Sequence, residues 1–195
     1  MDSLPKKYIP FVSAVKDGIE VLKLNKVKMA ELAEKKETTV WAAIILAAPF
    51  VINLVLLLIR TTMFVSLQIK ILLVPLLTTL AVIFLMSLVA QMLFHAKGDH
   101  IAFFRVLGHG SIIMVASIIP YILSILGVVD VMSIFNLINL AAGVWMLVVT
   151  YQVLMNYYKL NQQNAIVTIV LGIVGVFIIN SILRRILLGP LYQYI

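Results

Sequence analysis

The residues with chemical potential in this chain are crowded into one stretch: Gln91, His95, Lys97, Asp99, His100, Arg105 and His109. A second group, Gln152, Asn156 and Lys159, has the spacing of one helix face and is expected to turn towards Gln91. His95, Asp99 and His100 are metal-ligand types, and a helix would bring residues four apart onto one face. Zinc sites need further ligands at recognisable spacing, which this stretch lacks, so head-group contact or a loop hydrogen bond is the expected role. Intramembrane serine proteolysis wants Gly-x-Ser-Gly with a partner histidine, and Gly108-His109-Gly110-Ser111 has its glycines elsewhere. An aspartyl protease wants two carboxylates in the membrane, and Asp130 has no companion. Walker, Rossmann and His-Glu-x-x-His patterns are missing too. The expectation is no enzyme, no cofactor and no metal.

The elements that must position these groups are apolar runs. The chain is 63% hydrophobic and 12% charged, far from the composition of a water-soluble domain. About 20 helical residues cross a hydrocarbon core of about 30 Å, and five segments qualify: 40–59, 71–94, 106–126, 134–158 and 165–183. They do not alternate in polarity as barrel strands do. The fold class is therefore all-α, a polytopic membrane helical bundle. Its domains are an amphipathic N-terminal segment (1–38), a five-helix membrane domain (39–188) and a short tail (189–195). Because some forty residues precede the first run, cleavage as a signal peptide is not expected. Cysteine is absent, which excludes disulfides and thiolate sites.

Basic residues flanking a span resist translocation. The lysines of the N-terminal segment, with Lys97, Arg105 and Lys159, favour a cytoplasmic N-terminus and an external C-terminus, while Arg184 and Arg185 are discordant. Within 1–38, Val12, Val15, Ile19 and Leu22 form one helical stripe, flanked by Lys16, Lys23, Lys26 and Lys28. Two roles suit it: an interfacial helix whose lysines reach anionic lipid head groups, or a helix whose stripe packs on the bundle. The formal charge of +7 is attributed to the membrane, and nucleic acid is not an expected partner.

Acids and bases are expected at span ends or in connections, which argues against a proton or ion path. The spans otherwise hold amides and hydroxyls such as Asn53, Thr78, Ser87, Thr150 and Asn180, whose default role is interhelical hydrogen bonding. Ala43, Ala47, Gly108, Ala141, Gly143, Gly172 and Gly175 permit close approach of helices. Pro49 and Pro120 should kink the first and third spans, with Pro75 in the opening turns of the second.

One order of features carries a family likeness. Val21-Leu22 is followed by Met29-Ala30-Glu31-Leu32-Ala33-Glu34-Lys35 before the first span; Lys97-Gly98-Asp99 leads through Phe103-Phe104 to Val106-Leu107-Gly108-His109-Gly110 and Ile119-Pro120; Val144-Trp145 and 161–165 come later. Together these resemble the Yip1-domain family of five-span proteins, especially its short prokaryotic members, over nearly the whole chain. The Asp-Leu-Tyr-Gly-Pro motif of the eukaryotic branch is lacking, and His109 stands where that branch tends to have tyrosine. The resemblance implies residence in a prokaryotic cell membrane, a cytoplasmic N-terminus, no catalysis and an accessory or scaffolding role. The leading expectation is a protein that binds another integral membrane protein or itself. A small transporter, channel or lipid-moving protein with an amide-lined path is the rival.

Overall fold

The computed structural model describes residues 9–60, 65–127 and 131–189. Asp130 and nearly all of the tail lie outside them. Eight α-helices follow in order: α1 (Ile9–Leu22), α2 (Lys26–Glu34), α3 (Thr39–Arg60), α4 (Val65–Phe94), α5 (His100–Gly110), α6 (Ile118–Ile125), α7 (Val131–Asn156) and α8 (Gln162–Leu188). Short 3₁₀ stretches occupy Lys36–Thr38 and Ser111–Ser117, and no strand occurs among the described residues. Among the described residues, five segments are long and apolar enough to cross a membrane: Lys36–Ile59, Val65–Phe94, His100–Pro120, Ser133–Asn156 and Gln162–Leu188. The chain is an integral membrane protein built as a helical bundle.

Several boundaries differ from the sequence expectation. The second span starts at Val65 instead of 71, which puts Pro75 inside α4. The Thr79 hydroxyl donates to the Pro75 carbonyl at 2.9 Å. The third span starts at His100 instead of 106, because Asp99 caps α5 by accepting the Ala102 N–H at 3.1 Å. Residues read as a polar connection, Arg105 among them, are thus inside a span. That span is also not one α-helix. Pro120 offers no N–H to the carbonyl four residues back, and just before it the chain winds as 3₁₀ over Ser111–Ser117. The Ser111 and Ser117 hydroxyls donate to the carbonyls of Gly108 and Met114. The fourth span ends at Asn156, leaving Tyr158 in the connection to α8.

α5 is the axis of the fold. All residues from Ala102 to Gly110 are buried, whereas α8 buries only Ala165, Thr168, Gly172, Gly175 and Leu188. α3, α4, α7 and the N-terminal helices surround α5, and α8 packs along α4. Small residues set these approaches: a Cβ on Gly108 would lie 2.8 Å from Ala42 Cβ, Gly172 faces Met86, and Gly175 faces Leu85. On α3 it is Ala42, not Ala43, that makes the seam, since Ala43 is exposed, and Gly143 has open space beside it.

The docking face of α1 also departs from expectation. Ala14, Gly18 and Val21 are buried, while Val12 and Ile19 of the predicted stripe are exposed. A Cβ on Gly18 would lie 2.6 Å from the His109 carbonyl oxygen, and one on Gly110 3.1 Å from Val21 Cγ1. Approach this close demands small side chains, so Ala14 and Gly18 seat the helix while Val12 and Ile19 turn away.

Candidate functional site

Three of the connections at the end of the bundle that carries α1 and α2 repeat one design. Each helix is left through a non-glycine residue with positive φ: Leu24 (60°), His95 (52°) and Lys159 (56°). The chain then reaches an Asx cap: Asn25 accepts from Lys28 N, Asp99 from Ala102 N, and Asn161 from Asn164 N. Backbone bonds that reach back five or six residues close these turns, Asn25 to Glu20, Ala96 to Ala90 and Leu160 to Leu154. A side chain in the left-handed region costs about 1–2 kcal/mol. Such residues persist where the surroundings over-determine the backbone.

A hydrogen-bond chain provides that constraint for two of the three connections. Tyr158 donates to the Asp99 carbonyl at 2.9 Å and is bonded to Ser87, whose hydroxyl also meets His100 Nδ1 at 2.8 Å. Each hydroxyl has one proton, so a consistent direction runs from His100 Nδ1–H to Ser87, from Ser87 to Tyr158, and from Tyr158 to the Asp99 carbonyl. The Gln91 amide donates to the Gly98 carbonyl. Gly98 is packed against the Tyr158 ring so closely that any Cβ there would collide with it. The Phe103 and Tyr158 rings meet edge to face at 5.3 Å. The 95–99 and 157–161 connections are thereby locked into one rim.

The predicted cluster divides in three. His95, Lys97, Asp99 and Lys159 are exposed on this rim. Gln91, His100, Gln152 and Asn156 are half-buried and engaged internally: Asn156 Nδ2 donates to the Gln152 carbonyl at 2.7 Å and to its side-chain oxygen at 2.9 Å. The expected partnership with Gln91 is not the one formed: Asn156 and Gln152 bond to each other, and the Gln91 amide bonds to the Gly98 carbonyl. Arg105 and His109 are buried, so neither belongs to an outward contact face. Arg105 Nε donates to the Ile101 carbonyl at 3.3 Å and Nη2 lies 3.5 Å from Asp99 Oδ2. His109 Nδ1 donates to the Arg105 carbonyl at 2.7 Å, which makes Nε2 the bare nitrogen. Arg105 Nη1 and His109 Nε2 have no hydrogen-bond partner among the described residues. Among the described residues, no three His, Asp or Glu side chains gather as a metal site would require.

On the same end of the bundle, α2 carries an ion-pair ladder. Lys28 Nζ lies 3.2 Å from Asp17 Oδ1 and 2.7 Å from Glu31 Oε2, and Lys35 Nζ is 2.8 Å from Glu31 Oε1. Hydrogen bonds from Lys28 and Lys35 pull the Glu31 carboxyl down to about 2, and its bond to Glu31 holds the Lys28 ammonium above its ordinary value. Of the predicted helix residues, Lys16 and Lys26 are exposed, and Lys23 pairs with Glu20 at 2.8 Å. Val15 and Leu22 are half-buried.

Tyr158 is the central residue that sequence reasoning missed. Its partners lie 59 and 71 positions away, beyond any spacing argument. For the seat of α1 a signal existed: Ala14 and Gly18 are small residues four apart, the pattern of close helix packing. Comparison with protein-family models, with curated proteins and with solved structures finds no match to this chain.

Proposed function

We propose that this chain is a non-enzymatic accessory or scaffolding protein of the membrane, which uses its rim to bind another integral membrane protein or a second copy of itself. One observation carries the reading: His95, Lys97, Asp99 and Lys159 are exposed on backbone that the Tyr158–Ser87–His100 chain holds rigid. A rigid, outward set of charges limits the entropy lost when a partner docks. Several hydroxyls and amides of the spans favour this over a solute path, since they are bonded within the bundle. Thr150 donates to the Met146 carbonyl, Thr168 to that of Asn164, and Asn53 to the Ser117 hydroxyl at 3.1 Å. The resemblance to the Yip1-domain family points the same way, with the rim in the cytoplasm of a prokaryotic cell and the C-terminus outside. Basic residues at this end agree with that orientation.

A photo-crosslinking residue at Lys97 or Lys159, installed in the intact protein in its cell membrane, tests the proposal. A discrete adduct with one integral membrane protein, or with the chain itself, is expected, and the same residue at Phe177 on α8 should give none. Diffuse lipid adducts at all three positions, together with solute flux from liposomes holding the purified protein, would replace this reading with transport.

A further inference from the structure

We infer that α1 is a membrane-embedded in-plane helix, held flat against the side of the bundle with one flank in the acyl chains of the leaflet nearest the rim. Three contacts fix its course. Near its start, the Phe11 ring lies 6.2 Å from that of Trp41 on α3. Midway, Gly18 sits over the His109 carbonyl on α5. At its end, Trp145 of α7 donates its indole N–H to the Leu22 carbonyl at 3.1 Å. α1 therefore runs across three spans instead of along any one of them. Its depth follows from the same contacts, because His109 is well inside the span His100–Pro120 and Trp145 is eleven residues from Asn156, where the Ser133–Asn156 span ends. A helix lying against the flank of spans at that level is beside lipid.

The circumference of α1 is sorted accordingly. The seam of Ala14, Gly18 and Val21 faces the bundle. One flank is apolar and open, with Phe11 46%, Val12 50% and Ile19 43% exposed. Val40 and Ile44 on α3, near Trp41 in the chain, and Val144 on α7, next to Trp145, are exposed as well. The other flank is polar and turned to α2, through Asp17 on Lys28 and Glu20 on Asn25. Lys16 and Lys23 stand between the two flanks. An apolar flank, a polar flank and long basic side chains at their border match a lipid interface, where lysine stems lie along chains and their ammonium groups reach phosphate. Trp41, beside Phe11, is five residues from Lys36, where the first span begins, and tryptophan favours this same zone. The occupant of the open flank is thus a lipid monolayer. The inference depends neither on which side of the membrane the rim faces nor on any protein partner.

The absence of native cysteine permits single spin-labelled cysteines in the full chain, reconstituted in vesicles of phosphatidylcholine and phosphatidylglycerol. Labels at Val12 and Ile19 should collide with oxygen and be shielded from a water-soluble nickel chelate, with an accessibility ratio severalfold above that of a label at Ser13. A label at Phe177 supplies the lipid-exposed reference and shows that the bundle is intact. Equal nickel access at Val12, Ile19 and Ser13 would place α1 in water and overturn the inference. Shielding of Val12 and Ile19 from both reagents would overturn it too, since a protein surface would then cover the flank. For the head groups, the Lys16→Gln, Lys23→Gln double variant should retain severalfold less phosphatidylglycerol on native mass spectrometry; unchanged retention removes the two lysines from the proposal.

Discussion

α5 and α8 reverse the usual relation between hydropathy and burial. The span containing α5 has a mean hydropathy of 1.7 and is 61% buried, whereas that of α8 has 2.7 and is 17% buried. In water the more apolar helix would occupy the centre. In a bilayer the exterior is already hydrocarbon, so apolar residues gain little by moving inwards, and the interior goes to the helix that packs closely and carries polar groups. Gly108, Gly110, Arg105 and His109 are all on α5, while Phe177, Ile178 and Ile186 crowd the outside of α8.

That contrast breaks most visibly under paired truncation. Phe103→Ala on α5 should lower stability in mild detergent by about 3 kcal/mol, the low end of the range for emptying a buried aromatic site. Phe177→Ala on α8, where the ring is 70% exposed, should stay within about 0.5 kcal/mol. Equal losses would mean that α8 is covered in the working assembly. Overfilling tests the same contrast from the other side. Gly108→Ala puts a methyl 2.8 Å from Ala42 Cβ and 2.9 Å from its carbonyl oxygen, and should cost about 1–3 kcal/mol by thermal unfolding. Gly143→Ala, with open space beside it, should be neutral or slightly stabilising.

A third variant sharpens the role of the rim. Tyr158→Phe keeps the ring on Phe103 and Gly98 but removes the hydroxyl between Ser87 and the Asp99 carbonyl. It should cost about 1–2 kcal/mol and speed hydrogen exchange across 95–100. Unchanged exchange there would show that packing alone holds the two connections together.

The smallest effect concerns pH and α2. Glu31 is depressed to about 2, so its contribution is present above the ordinary carboxylate value of 4.5 and fades as pH falls towards 2. Lys28 is raised, so its contribution is complete below 10.5 and lost as pH climbs through its elevated value. Amide exchange over Lys26–Glu34 should therefore be level between these limits and quicken outside them. Both partners are partly exposed, and salt should flatten the response.

The sequence reveals the spans plainly because each must satisfy its own backbone in lipid, and all five segments are found within a few residues at most ends. The start of the third span was hidden for a physical reason. Asp99, His100 and Arg105 look like a solvated loop, yet Asp99 is a cap and Arg105 is covered by its neighbours. The sides of the helices were less legible than their lengths. In α1 the bulky stripe drew the eye, while two small residues did the docking. The cluster was legible only as a neighbourhood: its composition showed polarity at one end, but the split between exposed His95 and buried His109 depends on α1 and α2 folding over α5.

The central position of α5 has a consequence for biogenesis. Arginine in a lone helix disfavours release into lipid, and α5 holds Arg105 and His109 in the least apolar span of the set. Its partners are split in the chain, with α3 and α4 preceding it and α7 following. α1, although made first, has no seat until the third segment is threaded and no indole to cap Leu22 until the fourth arrives. The seat of the first helix is thus built from residues that follow it in the chain, so α1 cannot take its final position before α5 and α7 are made.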